Sequence, residues 1–202
     1  MRLCKLLLAS VGATVLLGAL VSSASARNLE ISHQRFVARF AFAEFHLPGA
    51  TTRCELSLEG SLHSRTMAKV AGSLIGYITR ADLGICQAGT ATVLTSTLPW
   101  HVRYSGFRGT LPEINRIFTH IIGASWRVRE SGGIACLARS STSEPVHEDI
   151  WREPATQELF AVELSGTIRT GFECLGISGS FASSLGVFSI SSVNAKATVH
   201  LI

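Results

Sequence analysis

Apolar and polar residues alternate along many short segments of this chain, a period that assigns one kind of residue to each face of a β-strand. Trp100, Val102 and Tyr104, for example, alternate with His101 and Arg103. The comparable segments are 36–42, 54–59, 160–165 and 195–202, with shorter candidates at 90–95, 125–129, 134–138 and 187–191. So many short strands predict an all-β fold, an antiparallel β-sandwich or barrel-like domain.

Two of these patterns make specific predictions about which side chains share a face. Phe36, Phe40 and Phe42 are expected on one face of an early strand, and Phe160 and Leu164 on the buried face of a late one.

Two further segments, 66–79 and 111–122, repeat their apolar residues at helical spacing instead. Gly72 and Gly76 oppose a helix in the first, at a cost of about 1 kcal/mol each relative to alanine. Pro112 is able to start a helix in the second. We predict strands for both; if both are helical, the fold is α+β. The polar, proline-bounded stretch 140–154 is predicted to be a long exposed loop.

The amino terminus has the three parts of a secretory signal. Arg2 and Lys5 precede an apolar run at 6–21, which ends in small residues at Ala24-Ser25-Ala26. We predict that 1–26 is a signal peptide and that 27–202 is a single β-rich exported domain. No second apolar run of spanning length follows, so no integral membrane segment is expected after cleavage. The expected location is secreted or at the cell surface.

Loss of the signal peptide changes the charge of the chain. Without Arg2 and Lys5 the formal net charge falls from +4 to +2. The remaining arginines are scattered, with no basic run or stripe, so a nucleic-acid partner is not expected.

Four cysteines lie beyond the signal peptide, at Cys54, Cys86, Cys136 and Cys174. An even number in an exported chain predicts two disulfides. Three pairings are open, and we favour the sequential one, Cys54–Cys86 with Cys136–Cys174, because it closes two separate loops. The spacing fits no zinc pattern, so no metal and no cofactor is expected.

Signatures of common enzymes, such as G-x-S-x-G and H-E-x-x-H, do not occur in the sequence. The densest aromatic and basic patch supplies the candidate ligand-binding residues Trp100, His101, Arg103 and Tyr104, which suit a sugar or a lipid. Alternation separates the aromatic pair from the polar pair, however, and a core role for Trp100 and Tyr104 is the stronger interpretation.

Acid–base and metal candidates are weaker. Glu55 and Glu59 are about 13 Å apart on one strand, beyond the separation that a glycosidase pair needs. The adjacent His147, Glu148 and Asp149 splay apart and make a poor metal site. We assign no catalytic residue.

Three runs, Cys54-Glu-Leu-Ser-Leu-Glu-Gly-Ser-Leu-His63, Leu74-Ile-Gly-Tyr-Ile-Thr79 and Leu98-Pro-Trp-His-Val-Arg-Tyr-Ser-Gly-Phe107, resemble a group of bacterial exported β-rich proteins without an assigned activity. The resemblance implies an exported bacterial protein and no catalytic residue. We therefore expect a non-enzymatic exported domain with a structural, adhesive or ligand-binding role, for which a cell-surface or carbohydrate ligand is the candidate partner. The alternative is a hydrolase of cell-wall or extracellular polymer, with a site assembled from distant residues such as His101, His63 and a glutamate.

Overall fold

The structure, a computed structural model, is built almost entirely of antiparallel β-strands. It describes residues 28–47, 50–111, 113–130, 133, 135–170, 174, 179–183, 186–190 and 197–202. The strands are β1 Asn28–Ile31, β2 Arg35–Leu47, β3 Ala50–Leu62, β4 Thr66–Ala68, β5 Leu74–Gln87, β6 Gly89–Val93, β7 Trp100–Thr110, β8 Glu113–Ile122, β9 Ser125–Glu130, β10 Ala135–Arg139, β11 Val146–Arg152, β12 Leu159–Thr170, β13 Gly179–Ser183, β14 Gly186–Ile190 and β15 Val199–Leu201. A short 3-10 turn, Thr95–Thr97, precedes β7.

Eight of these strands form a closed, barrel-like sheet. Their order is β2, β3, β5, β7, β8, β11, β12 and β13, and β13 pairs back onto β2. All neighbours are antiparallel, and β14 continues beside β2 where β13 ends. Closure pairs each of these strands on both sides over at least part of its length, and an eight-stranded ring has an interior that side chains or one small ligand can fill.

Smaller sheets accompany the ring. We call β15, β1 and β4 the end sheet; its residues Ile31 and Met67 lie against Phe36 and Ile75 of the ring around an internal cavity. We call β6, β9 and β10 the cap sheet; it joins the ring through the pairing of β10 with β12. Trp126 of the cap sheet packs against aromatic residues of the ring.

The core fills the inside of the ring. Alternate residues of each ring strand are buried, as the period of two requires. Representative buried side chains are Phe36, Phe45, Leu58, Ile78, Trp100, Tyr104, Ile121, Leu164, Ile168 and Phe181. The opposite faces carry mostly polar side chains, such as Arg39, Glu55 and Asp82.

Both predicted disulfides are present with the predicted pairing. Cys54 and Cys86 are direct cross-strand partners on β3 and β5. Cys136 on β10 is joined to Cys174, which follows β12 in the chain. The second bridge therefore anchors the cap sheet covalently.

The prediction of an all-β fold is confirmed, including the two segments with helical spacing. Residues 66–79 contribute β4 and the start of β5, and 111–122 contribute β8. In β8, Ile114, Ile117 and Ile121 are all buried because the pairing with β7 skips Asn115, and this extra residue shifts the alternation between Ile114 and Ile117.

The prediction of a long loop at 140–154 is wrong, because this stretch contains the ring strand β11. Its inward positions are Val146, Glu148, Ile150 and Arg152. Because two of these four buried side chains are ionisable, the sequence does not show the alternation of apolar and polar residues that marks a strand. Arg152 is tolerated inside because its Nε and Nη1 donate hydrogen bonds to the carbonyl oxygens of Val199 and Ile114, at 3.3 and 2.8 Å.

Two predictions of shared faces are also wrong, in both cases because of a β-bulge. The β2–β3 register shifts between Phe40 and Ala43, so Phe42 leaves the buried face and lies under the guanidinium of Arg53. In β12 the pairing with β11 skips position 162, so Phe160 is partly exposed while Leu164 is buried. An extra residue in one strand reverses the alternation beyond it.

The predicted signal peptide, 1–26, lies outside the described residues. Among the residues that are described, no helix has the length and apolar character needed to cross a membrane.

Candidate functional site

The outer side of three neighbouring ring strands collects polar and aromatic residues from distant parts of the chain. Register between β8, β11 and β12 aligns them in three rows. The rows are His120–His147–Ser165, Phe118–Asp149–Glu163 and Arg116–Trp151–Phe160. We call this surface the β8–β11–β12 face.

A depression of about 340 Å³ lies in this face. Its lining includes Ser105, Phe118, His120, His147, Asp149 and Glu163. The size is in the lower part of the range that small-ligand sites occupy. Polar groups from four strands, β7, β8, β11 and β12, therefore converge on one concavity.

Asp149 is fixed in the depression by an ion pair with Arg116. Its Oδ2 accepts a hydrogen bond from Nη1 of Arg116 at 2.5 Å, a charge-assisted contact between two half-buried side chains. Its other oxygen, Oδ1, is buried without a hydrogen-bond partner among the described residues. This oxygen therefore keeps an unused capacity to accept a hydrogen bond.

The two histidines of the first row touch each other. The rings of His120 and His147 are perpendicular, with centroids 4.6 Å apart. Burial lowers the pKa of His120, and the neighbouring His147 lowers it further because two imidazolium charges repel. A lowered pKa favours the neutral form of His120 at neutral pH, and a neutral imidazole presents both a donor and an acceptor.

Trp151 and Phe160 form an aromatic pair in the third row. Their ring centroids are 5.5 Å apart and the planes are tilted by 35°. Both side chains are partly exposed, unlike the buried Trp100 and Trp126. Trp151 follows Asp149 by two residues on the same strand face. The aromatic pair therefore borders the row Phe118–Asp149–Glu163.

Behind the face, inside the ring, lies a buried carboxyl group. Glu148 is 5% exposed, and its Oε2 accepts a hydrogen bond from Oγ1 of Thr119 at 2.5 Å. Burial raises the pKa of Glu148 to about 6, against the opposing effect of the Thr119 hydroxyl. Glu148 also lines a cavity of about 30 Å³, room for about one water molecule, and is the ionisable group among its described lining residues.

The four residues predicted to bind a ligand do not come together. Trp100 and Tyr104 are buried inside the ring, and Nε1 of Trp100 donates to Oγ1 of Thr97 at 2.9 Å. His101 and Arg103 lie on the outer side of β7. The ring of His101 is 5.3 Å from that of Tyr77, whereas Arg103 is the cross-strand partner of His120 and thus borders the β8–β11–β12 face.

Of the residues considered for catalysis, His63 and His101 both contact the ring of Tyr77, with ring centroids at 4.8 and 5.3 Å. Glu59 is paired with Arg80 at 3.7 Å instead. Glu148 points into the ring while His147 and Asp149 point out. In the described parts of the chain, no three His, Cys, Asp or Glu side chains are grouped so as to hold a metal ion.

Sequence reasoning missed this face because it assigned β11 to a loop. The signal that was present is the period-two series His147, Asp149 and Trp151, which places an imidazole, a carboxylate and an indole on one strand face. The cross-strand partners on β8 and β12 have no sequence signal, because register is a property of the folded sheet.

Comparison of the chain with protein-family models, with curated proteins and with solved structures finds no match.

Proposed function

We propose that this protein is an exported, non-enzymatic binding module whose β8–β11–β12 face takes a carbohydrate chain. The observation that carries the proposal is the adjacency of the partly exposed Trp151–Phe160 pair to a depression lined by Asp149, one of whose oxygens has no donor among the described residues. Sugars present an apolar ring face and a rim of hydroxyl groups. An aromatic pair supplies the stacking surface, and the carboxylate accepts hydroxyl hydrogen bonds.

The remaining groups of the face support the same ligand class. Neutral His120 is able both to donate and to accept, as hydroxyl groups require. Arg116 orients Asp149 through a bond to its other oxygen, so the free oxygen is fixed in place before a ligand arrives. Preorganisation of this kind lowers the entropic cost of binding.

The test is a binding panel of insoluble polysaccharides, namely chitin, cellulose and peptidoglycan, measured by depletion of the protein from solution. We expect one of them to bind the protein, and Trp151→Ala to weaken that binding about 10-fold or more, as for a central aromatic contact. Tyr77→Ala is the matched control, because Tyr77 is a partly exposed ring on another side of the same sheet. Binding to none of the polymers, or equal losses in the two variants, contradicts the proposal.

A second candidate function, hydrolysis of the polymer, is favoured by one observation. Asp149 and Glu163 are direct cross-strand partners on β11 and β12. Cβ atoms of such a pair are about 5 Å apart, which brings two carboxyl groups near the separation of about 5–5.5 Å found in retaining glycosidases.

Release of reducing ends from the bound polymer distinguishes the two functions. A binding module retains the polymer intact, and Glu163→Gln then leaves the polymer unchanged. A hydrolase releases reducing ends, and Glu163→Gln abolishes the release without preventing binding.

A further inference from the structure

The cap sheet has two chemically opposite faces. Its inner face is apolar and buried, with Trp126, Val128, Cys136 and Ala138 turned toward the ring. The ring of Trp126 stacks on Phe181, with centroids 5.2 Å apart and planes inclined by 11°. The inner face therefore fixes the cap sheet against the core. The outer face carries exposed side chains.

Three exposed arginines lie on the outer face. Arg127 and Arg129 are two residues apart on β9, which places their side chains on the same side about 7 Å from each other. Arg139 on β10 pairs with Ser125, two positions before Arg127, and so stands diagonally across from Arg127. A diagonal cross-strand pair is about 7–8 Å apart. We call Arg127, Arg129 and Arg139 the arginine face.

None of the three arginines forms an ion pair within the described part of the chain. Two exposed arginines elsewhere do form ion pairs, Arg65 with Glu30 and Arg80 with Glu59 and Asp82, whereas the exposed Arg35 and Arg108 form none within the described residues. Like charges at this spacing repel one another, and they lower the stability of the sheet unless anions lie between them.

We propose that the arginine face docks the protein onto the surface of an anionic lipid bilayer. The face is the outer surface of a three-stranded sheet, and its three guanidinium groups offer positive charge to the negative charge of anionic headgroups. The other positions that the register places on this face, Thr90, Thr92, Ser125, Ala135 and Leu137, include no aromatic ring. Planar guanidinium groups bind phosphate through paired N–H donors, which fits the phosphodiester of a lipid headgroup.

The same observations argue against a single-stranded nucleic-acid partner. Single-stranded nucleic acids bind through aromatic side chains on which bases stack, and no described residue of this face is aromatic. The bilayer proposal is independent of the carbohydrate proposal, because the cap sheet and the β8–β11–β12 face share no residue.

The experiment is sedimentation of the purified protein with vesicles. Vesicles of phosphatidylcholine mixed with phosphatidylglycerol are compared with vesicles of phosphatidylcholine alone, at low and at high sodium chloride. We expect binding to the anionic vesicles only, and its loss at high salt, because the attraction is screened within a Debye length. Each arginine near a charged surface is expected to contribute about 5-fold, so Arg127→Gln with Arg129→Gln weakens binding about 25-fold.

The matched control is Arg65→Gln with Arg80→Gln, which removes the same charge from arginines that have acidic partners. This control is expected to bind the anionic vesicles like the unaltered protein. The proposal is overturned if the anionic vesicles are not bound, if both double variants lose binding equally, or if a DNA oligonucleotide competes for the arginine face better than the vesicles do.

Discussion

Glu148 and Thr119 form a hydrogen-bonded pair inside the closed sheet, with 2.5 Å between Oε2 and Oγ1. They are direct cross-strand partners on β11 and β8, and their sequence neighbours form the β8–β11–β12 face. A carboxyl group in this position favours its neutral form, because an ionised carboxylate loses its hydration on burial.

Stability is therefore expected to depend on pH through Glu148. Its pKa is raised from 4.5 to about 6 in the folded chain. Between these values the unfolded chain releases a proton that the folded chain retains, so the free energy of unfolding falls as pH rises, by about 2 kcal/mol in total. Glu148→Gln keeps an acceptor for Thr119 and cannot ionise. Relative to the unaltered protein, this variant is expected to gain about 2 kcal/mol between pH 4 and pH 8 in urea unfolding.

The control for this measurement is Glu163→Gln, which alters an exposed carboxylate on the outer side of the neighbouring strand. It is expected to show no comparable gain. A stability difference for Glu148→Gln that is the same at both pH values would contradict the assignment of the buried proton to Glu148.

The contact between His120 and His147 predicts a shift that a titration can measure. His147→Gln removes the repelling charge, so the pKa of His120 is expected to rise. It is expected to stay below 6.5, because the burial that lowers it persists. Proton NMR of the imidazole signals gives the value directly. His101→Gln, on another part of the surface, serves as control, and an unchanged His120 titration in His147→Gln refutes the coupling.

The two tryptophans Trp126 and Trp151 are expected to differ sharply in their effect on stability. Trp126 is 2% exposed and lies between Phe45 and Phe181, so Trp126→Ala is expected to cost about 3–5 kcal/mol. Trp151→Ala leaves no enclosed cavity and is expected to cost about 1 kcal/mol. Thermal and urea unfolding compare the two. Similar losses would mean that Trp126 does not fix the cap sheet to the ring.

Gly60 is expected to tolerate no side chain. A Cβ at this position would meet the carbonyl oxygen of Tyr77 at 2.4 Å and the ring of Phe36 at 2.5 Å. We expect Gly60→Ala to lower the free energy of unfolding by about 1–3 kcal/mol through overpacking. Gly106→Ala is the matched control, because its nearest neighbour is a Phe118 ring atom at 3.9 Å. Equal stability of the two variants contradicts the close approach at Gly60.

The pattern along the chain was sufficient for much of the fold. Alternation at Trp100, Val102 and Tyr104 marks a strand whose even positions are buried, because side-chain direction in a strand is a local property. The cysteine count and order led to the observed pairs Cys54–Cys86 and Cys136–Cys174. Sequential pairing is favoured where neighbouring strands in the chain are neighbours in the sheet, as in this ring.

The candidate face and the arginine face were decided by tertiary structure alone. Arg139 is ten residues from Arg129 in the chain, and the arginines were interpreted as scattered, yet the β9–β10 register brings them to one surface. Asp149 and Glu163 meet only because β11 pairs with β12. The strand β11 itself was missed because Glu148 and Arg152 occupy inward positions, where Thr119 and two backbone carbonyl groups satisfy them. Local alternation determines which way a side chain faces, whereas register between strands determines which side chains meet, and register depends on the whole closed sheet.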